Sequence, residues 1–382
     1  MKSEVLFVKV QKSDMVYENL KGRIYAGEFN IANRLPSEVE LARYYGCSRP
    51  TLRKALDALE SAHIIVRKQG SGSFLSSKGL DERDSHGIPE RNKGLFGIIF
   101  PSLGRNYVFD IICSEVTRVL ATYDCSLVWG GVVVPSSVNL MEDIKQICNK
   151  YVQLGVDGVF FAPIEYTPLR ERANNYIEET FRNAGIPLVL IDSDLYEFPQ
   201  RSRYDLVSLD HIEAGYLLTR HMVESHARNI HFLSPPMSAY TIKLRQIGYR
   251  EALYDAGIPV REEKVHVGNP KDKRFVSTVL AFEPQAILCS NDGTAIVLQE
   301  TLEAMGISVP KDVAVAGFDN LSYLAQIRVP LTSVSQPTER ISREAVKMMM
   351  ERRDHPEQPC RTIRLSGHLV MRKSTRFGDT TI

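Results

Sequence analysis

The chain predicts two architectures in tandem: an N-terminal winged helix-turn-helix of α+β type, and a C-terminal α/β body long enough for two lobes. Three observations carry that prediction. Residues 1–79 hold 13 Lys/Arg against 8 Asp/Glu, net +5, while residues 80–382 hold 34 against 38, net −4. The overall +1 therefore averages a basic module, suited to a polyanion, and a mildly acidic body, unless the split is chance scatter. The basic part carries a helix–short turn–helix pattern followed by a hairpin pattern. From residue 94 onward, short continuous apolar runs alternate with amphipathic stretches, as expected of parallel strands buried on both faces with helices between them.

Composition narrows the class. A length of 382 residues suits two or three domains. With 43% hydrophobic and 24% charged residues, the chain is neither disordered, collagen-like nor disulfide-stapled. Its longest apolar runs, 128–134 and 156–164, fall far short of the roughly 20 residues of a membrane span, and residues 1–14 lack a signal-peptide pattern. The six cysteines form no Cys-x-x-Cys pair, which reads as reduced thiols in a cytoplasmic protein with no membrane partner. There is no HExxH, and His221, His226 and His231 are spaced by five, sharing neither a helix face nor a strand face. No metal and no cofactor are expected.

In the basic module, Val16, Leu20 and Ile24 mark one face of a helix over 15–26 that Gly27 stops. Ser37 with Glu40 fits a capping box opening a second helix, which ends near Tyr45-Gly46. Ser48 caps a third, with Pro50 in its first turn. Leu52, Leu56 and Leu59 form its buried stripe, leaving Arg49, Thr51 and Arg53 off that stripe at its start. Basic and hydroxyl residues at the start of the second helix of such a pair suit reading of a DNA groove. Residues 64–68 then read as a strand, 69–73 as a turn and 74–75 as the return. The Gly-Ser-Gly turn lacks the GK[ST] and the strand-to-helix context of a nucleotide loop. It fits a wing, with Arg67 and Lys68 on backbone phosphates. Residues 78–93 have linker composition, giving domains 1–77 and 94–382.

In the body, apolar runs recur at 95–100, 127–134, 158–161, 188–191, 206–209, 230–233, 286–288 and 313–316, with helical patterns such as 109–120 and 294–305 between them. Polar residues cluster after strand ends: Asp192, Asp210, Asn291-Asp292 and Asp319-Asn320. Open α/β sheets bind ligands outside the carboxyl ends of their strands, but Asp and Asn there also cap the following helix. Both uses fit different members of the set, with capping or loop structure favoured for Asp210, Asp292 and Asp312. No G-x-S-x-G elbow, P-loop or metal cluster supports an enzyme.

The run LPSEVELARYYGCSRPTLRKALDALESAHIIVRKQGSGSFL resembles the winged-helix domain of GntR-family bacterial repressors over residues 13–76. The resemblance implies base and phosphate contacts from Arg49, Thr51 and Arg53, and a wing tip at Gly70 and Gly72. Ser37, Arg43, Ser48, Pro50 and Ser71 complete the expected DNA-facing set. Val39 stands where that family often has Arg, with Arg43 a candidate substitute.

The segments GLFGIIFPSLGRNYVFDIICSEVTRVL, VDGVFFAP, IPLVLID, VSLDHIEAGYLLTRHM, KLRQIGYREAL, AILCSNDGTAIVLQETL, DVAVAGFDN and LTSVSQP resemble, in order, the effector core of LacI/GalR repressors. That implies a two-lobed, periplasmic-binding-protein-like domain with three crossovers and an effector in the cleft. The first lobe would span about 94–205 with 338–358, the second about 206–334 with the C-terminal strand. By the same resemblance, Arg245, Asp192, Asn291, Asp319 and Gln336 contact the effector, and Tyr107 and Phe109 lie on the first ligand loop. Trp129 either stacks on ligand or packs at a lobe surface. Ala162 replaces a polar residue of some sugar-binding relatives. The pairing of domains resembles bacterial arabinose-repressor-like regulators. It implies a homodimer on double-stranded operator DNA that represses carbohydrate-utilisation genes. A monosaccharide would release it, an L-arabinose-like pentose or an L-fucose-like deoxyhexose. A purine or other non-sugar effector, and activation rather than repression, stay open.

Overall fold

The computed structural model describes residues 12–25, 35–62, 64–68, 72–76, 94–104 and 107–376. The expected linker 78–93, and Gly70 and Ser71 of the wing turn, lie outside these. The chain divides into two compact units, Met1–Lys93 and Gly94–Ile382. Among the described residues no helix is long and apolar enough to cross a membrane.

In the first unit, α1 (Lys12–Tyr25), α2 (Glu38–Tyr44) and α3 (Arg49–Ser61) pack around Val16, Leu20, Ile24, Leu52, Leu56 and Leu59. Two local signals set the helix starts. Ser37 accepts from the Glu40 backbone while the Glu40 carboxylate accepts from Ser37 N at 2.9 Å. Ser48 accepts from Thr51 N at 3.3 Å, and Pro50 sits in the first turn of α3. The strands β1 (Ile65–Lys68) and β2 (Gly72–Leu75) pair antiparallel, Lys68 opposite Gly72. Gly72 has φ +107°, a conformation that suits glycine as the chain returns from the turn.

The second unit holds two six-stranded sheets. The first runs β13-β7-β6-β5-β3-β4, all parallel: β3 (Leu95–Ile99), β4 (Ser126–Trp129), β5 (Gly158–Phe161), β6 (Leu188–Ile191), β7 (Asp205–Leu209) and β13 (Thr362–Leu365). The second runs β14-β12-β11-β10-β8-β9, with only β14 (His368–Val370) antiparallel: β8 (Ile230–Ser234), β9 (Val265–Val267), β10 (Ala286–Cys289), β11 (Ala314–Asp319) and β12 (Thr332–Ser335). Each sheet is covered on both faces. Phe160 and Val159 on β5 enter different cores, as do Leu288 and Ile287 on β10. This two-sided burial is why the runs are continuous rather than alternating.

The lobe boundary differs from the expected one. Residues 206–209 belong to the first sheet, not the second lobe: Leu206 and Val207 pair with Leu190 and Ile191 on one side and with Thr362 and Ile363 on the other. Asp205 anchors this strand, accepting from Arg352 Nε and Arg361 N, both at 2.8 Å. The expected strand over 127–134 ends at Trp129, because Gly130 N turns to the Tyr151 hydroxyl and Gly131 takes φ +153°. The chain crosses between the sheets at Asp210, at Gln336-Pro337 before α11 (Thr338–Asp354), and at Ser366-Gly367. A Cβ on Gly367 would lie 2.9 Å from Ser335 O and 3.1 Å from Leu209, so the three crossovers are packed against one another.

Candidate functional site

The exposed start of α3 and the adjoining wing form the first candidate surface. Arg49, Pro50 and Arg43 are exposed and Thr51 is half-buried. Thr51 Oγ1 lies 2.7 Å from Ser48 Oγ, so both hydroxyls are engaged in the cap. Lys68 sits over the Phe74 ring at 5.3 Å. Val39 is exposed in the first turn of α2. Arg53 and Arg67 are not presented singly. Arg53 Nε donates to Glu38 at 2.9 Å, and Arg67 donates to Glu38 and to Asp57, each at 2.5 Å. Partial burial pushes the Glu38 carboxyl up, but the two guanidiniums outweigh it and hold the group below the ordinary carboxylate range. Glu38 and Asp57 went unnoticed in the sequence; Asp57 stands four residues after Arg53, the spacing of neighbours on a helix surface.

The second candidate site is a cleft between the carboxyl ends of the two sheets, enclosing a small cavity of about 100 Å³. Phe109, Asp192, Arg245, Asn291, Asp319 and Gln336 all line it. Each is placed by a different element: Phe109 by α4 (Tyr107–Ala121), Asp192 by the end of β6, Arg245 by α8 (Tyr240–Asp255), Asn291 by the turn into α10 (Asp292–Glu303), Asp319 by the end of β11, and Gln336 by the second crossover. Tyr107, half-buried at the start of α4, and Trp129, about half exposed at the end of β4, are not among the lining residues.

Arg245 is the hub. Its side chain is 4% exposed. Nη1 donates to Ser290 O at 2.6 Å, Nη2 to Asp319 at 3.4 Å, and Nε to His211 Nδ1 at 3.4 Å. The guanidinium lies over the Phe318 ring at 4.7 Å. Gln336 Nε2 donates to the same Asp319 oxygen at 2.8 Å, and His211 Nε2 is 3.2 Å from Asp192. A polar chain Asp192–His211–Arg245–Asp319–Gln336 thus runs along the cleft and joins the lobes. Burial would raise the Asp192 carboxyl, but His211 and Arg245 hold it below its ordinary 3.8. Burial dominates at Asp319 and raises it despite Arg245 and Gln336. Asp192, Asp319 and Tyr166 have φ of +72°, +110° and +60°, positive values that are uncommon for non-glycine residues.

The neighbouring acids divide between roles. Asn291 caps α10 by accepting from Thr294 N at 2.8 Å and also lines the cleft. Asp210 caps α7 (His211–Glu224) through Glu213 N at 3.0 Å, and Asp312 accepts from Ser308 N at 2.7 Å. Asp292 is buried, accepts from Ser333 and Leu321 N, and is raised by burial and by Asp319. A Cβ on Gly317 would lie 2.4 Å from it. Sequence reasoning missed Glu165, Tyr166 and Thr241, which also line the cleft. The first two follow β5, so the strand-end rule that marked Asp192 applies to them too.

Two family models match the chain: "Bacterial regulatory proteins, gntR family" over residues 12–75 and "Periplasmic binding protein-like domain" over residues 219–375. The HTH-type transcriptional repressor PurR of Vibrio parahaemolyticus is 30% identical over 272 residues, covering 70% of this chain and 78% of that protein. The chain belongs to the LacI-type transcriptional regulators, with a GntR-type DNA-binding domain. The arabinose metabolism transcriptional repressor of Halalkalibacterium halodurans resembles this regulator end to end, at 24% identity over 95% of this chain and 96% of its own. The solved complex of the transcriptional regulator CelR with cellobiose shares the fold, with a TM-score of 0.64 at 21% identity over 89% of this chain and all of that one.

Proposed function

We propose that this LacI-type regulator is a homodimeric repressor of carbohydrate-utilisation genes whose hold on operator DNA is relieved by a small sugar bound between the lobes. The observation that carries it is the polar chain through Arg245. A sugar presents hydroxyls that both donate and accept; Asp192 and Asp319 accept, Arg245 donates, and Asn291 and Gln336 do both. Phe109 supplies an aromatic edge for the apolar side of a sugar ring. The end-to-end likeness to an arabinose metabolism repressor supports the same class. Two-fold pairing of the bodies would present two winged helices to a pseudo-palindromic site. A purine effector is the second reading, favoured by the 30% identity to PurR.

A thermal-shift panel on the full chain tests both, with L-arabinose, L-fucose, D-xylose, D-galactose, hypoxanthine and guanine. A ligand at about 100-fold above its Kd stabilises by roughly 2.7 kcal/mol. We expect a shift with a pentose or deoxyhexose that Arg245→Ala abolishes. A shift with purines alone overturns the sugar reading in favour of the second.

A further inference from the structure

Arg53 and Asp57 lie one helical turn apart on the exposed face of α3, and Arg67 reaches that face from β1. Glu38, at the start of α2, accepts from both arginines, and Asp57 takes the second fork of Arg67. The patch holds two guanidiniums and two carboxylates, so its charge cancels. Arg49 on the same helix is exposed and has no intramolecular partner among the described residues. A carboxylate and a phosphate offer a guanidinium the same planar pair of oxygens. Glu38 therefore stands where a phosphate would stand.

Resting on the reading that this face meets DNA, we infer that Glu38 is a specificity-determining residue: it masks Arg53 and Arg67 from the phosphates of any passing duplex and gives them up only where the other contacts of the operator are also made. Non-specific binding is almost wholly a matter of phosphate contacts, so withholding two arginines weakens it selectively.

The test uses the full chain and a labelled 30-base-pair duplex of unrelated sequence, with affinity followed by anisotropy against salt. The Glu38 pairs are partly exposed and, on the scale of surface pairs worth up to about 1 kcal/mol, Glu38→Gln should tighten this binding about three- to fivefold. The slope of log K against log salt should steepen by about one to two, since each newly contacted phosphate contributes roughly 0.9. Removing an acid also raises net charge, so the deciding measurement is a double-mutant cycle. Arg67→Gln should reduce binding more in the Glu38→Gln background than in the wild type. Equal reductions, or Glu38→Gln binding no tighter than wild type, overturn the inference. Circular dichroism and thermal melting check folding. If Glu38→Gln does not fold, Asp57→Asn, at an exposed position, releases one fork of Arg67 and should give a smaller gain; no gain overturns the inference. A wild-type chain that binds no duplex at any salt refutes the DNA-facing reading itself, a result distinct from binding that Glu38→Gln leaves unchanged.

Discussion

Arg245 illustrates how a single buried charge is made tolerable. A guanidinium out of water needs its donors met and its charge balanced, and here a backbone carbonyl, a histidine, a carboxylate and an aromatic face supply this. A ligand that enters the cleft meets a side chain already fixed in orientation. Arg49 is the opposite case, exposed and with no intramolecular partner among the described residues. If it forks onto a base edge, Arg49→Ala should weaken operator binding by roughly 1–3 kcal/mol and relax preference at one position; anisotropy titrations against wild type check this, and an unchanged affinity would move the reading surface elsewhere. At this scale the sequence was legible where a residue's place follows from a local rule. The capping box at Ser37 is contained in four residues, and Asp192, Asn291 and Asp319 follow strand ends. Glu38 was illegible because its partners are 15 and 29 residues away with no periodicity to link them. Trp129 was ambiguous because the apolar run continues past it, and the strand ends there only through the bond from Gly130 N to the Tyr151 hydroxyl, 21 residues later.

Elements hold the cleft in register. The helices α7 and α8 cross with almost no space between their backbones. A Cβ on Gly215 would lie 2.0 Å from Arg245 O, and one on Gly248 would lie 1.9 Å from Ile212 O. His211 and Arg245 both ride on this pair, so the two glycines set the distance between them. Gly248→Ala should destabilise the body by about 1–3 kcal/mol through overpacking, read as a lower denaturation midpoint, and should also weaken effector binding in calorimetry. A stable variant with unaltered affinity would mean that the crossing does not position Arg245. The alternation of strands and helices was legible because two-sided burial writes itself into continuous apolar runs. The assignment of residues 205–209 to a lobe was not, because β7 is equally apolar in either sheet. In the structure it pairs with β6 and β13, and Asp205 is held by Arg352, 147 residues later.

The whole body is a pair of lobes bridged at the cleft mouth. Lys243 on α8 meets Glu197 of the first lobe at 3.1 Å, Glu197 meets Arg170 of α6 (Arg170–Asn183) at 3.2 Å, and the Tyr240 hydroxyl accepts from Phe198 N at 3.0 Å. These bridges tie the two lobes together. Lys243 and Glu197 are partly exposed, so the pair is worth at most about 1 kcal/mol. Lys243→Ala should weaken effector binding about two- to fivefold in calorimetry, with less effect at high salt, where the wild-type pair is already screened. An equal Kd at low salt would show that the bridge does not bias closure. If the proposed effector and DNA are coupled, linkage requires that whatever factor the effector takes from DNA affinity, DNA takes from effector affinity.

The three crossovers also order events in time. The first lobe needs α11 and β13, which come after all of the second lobe's strands except β14, whereas the core of the DNA-binding unit is drawn, among the described residues, from residues 16–75. Synthesis runs from the N-terminus at about 5–20 residues per second. On the proposed reading, the surface that would meet DNA is therefore complete many seconds before the cleft that would govern it. A chain interrupted before Thr338 would carry the first without the second: a folded DNA-binding unit with no cleft to answer a signal.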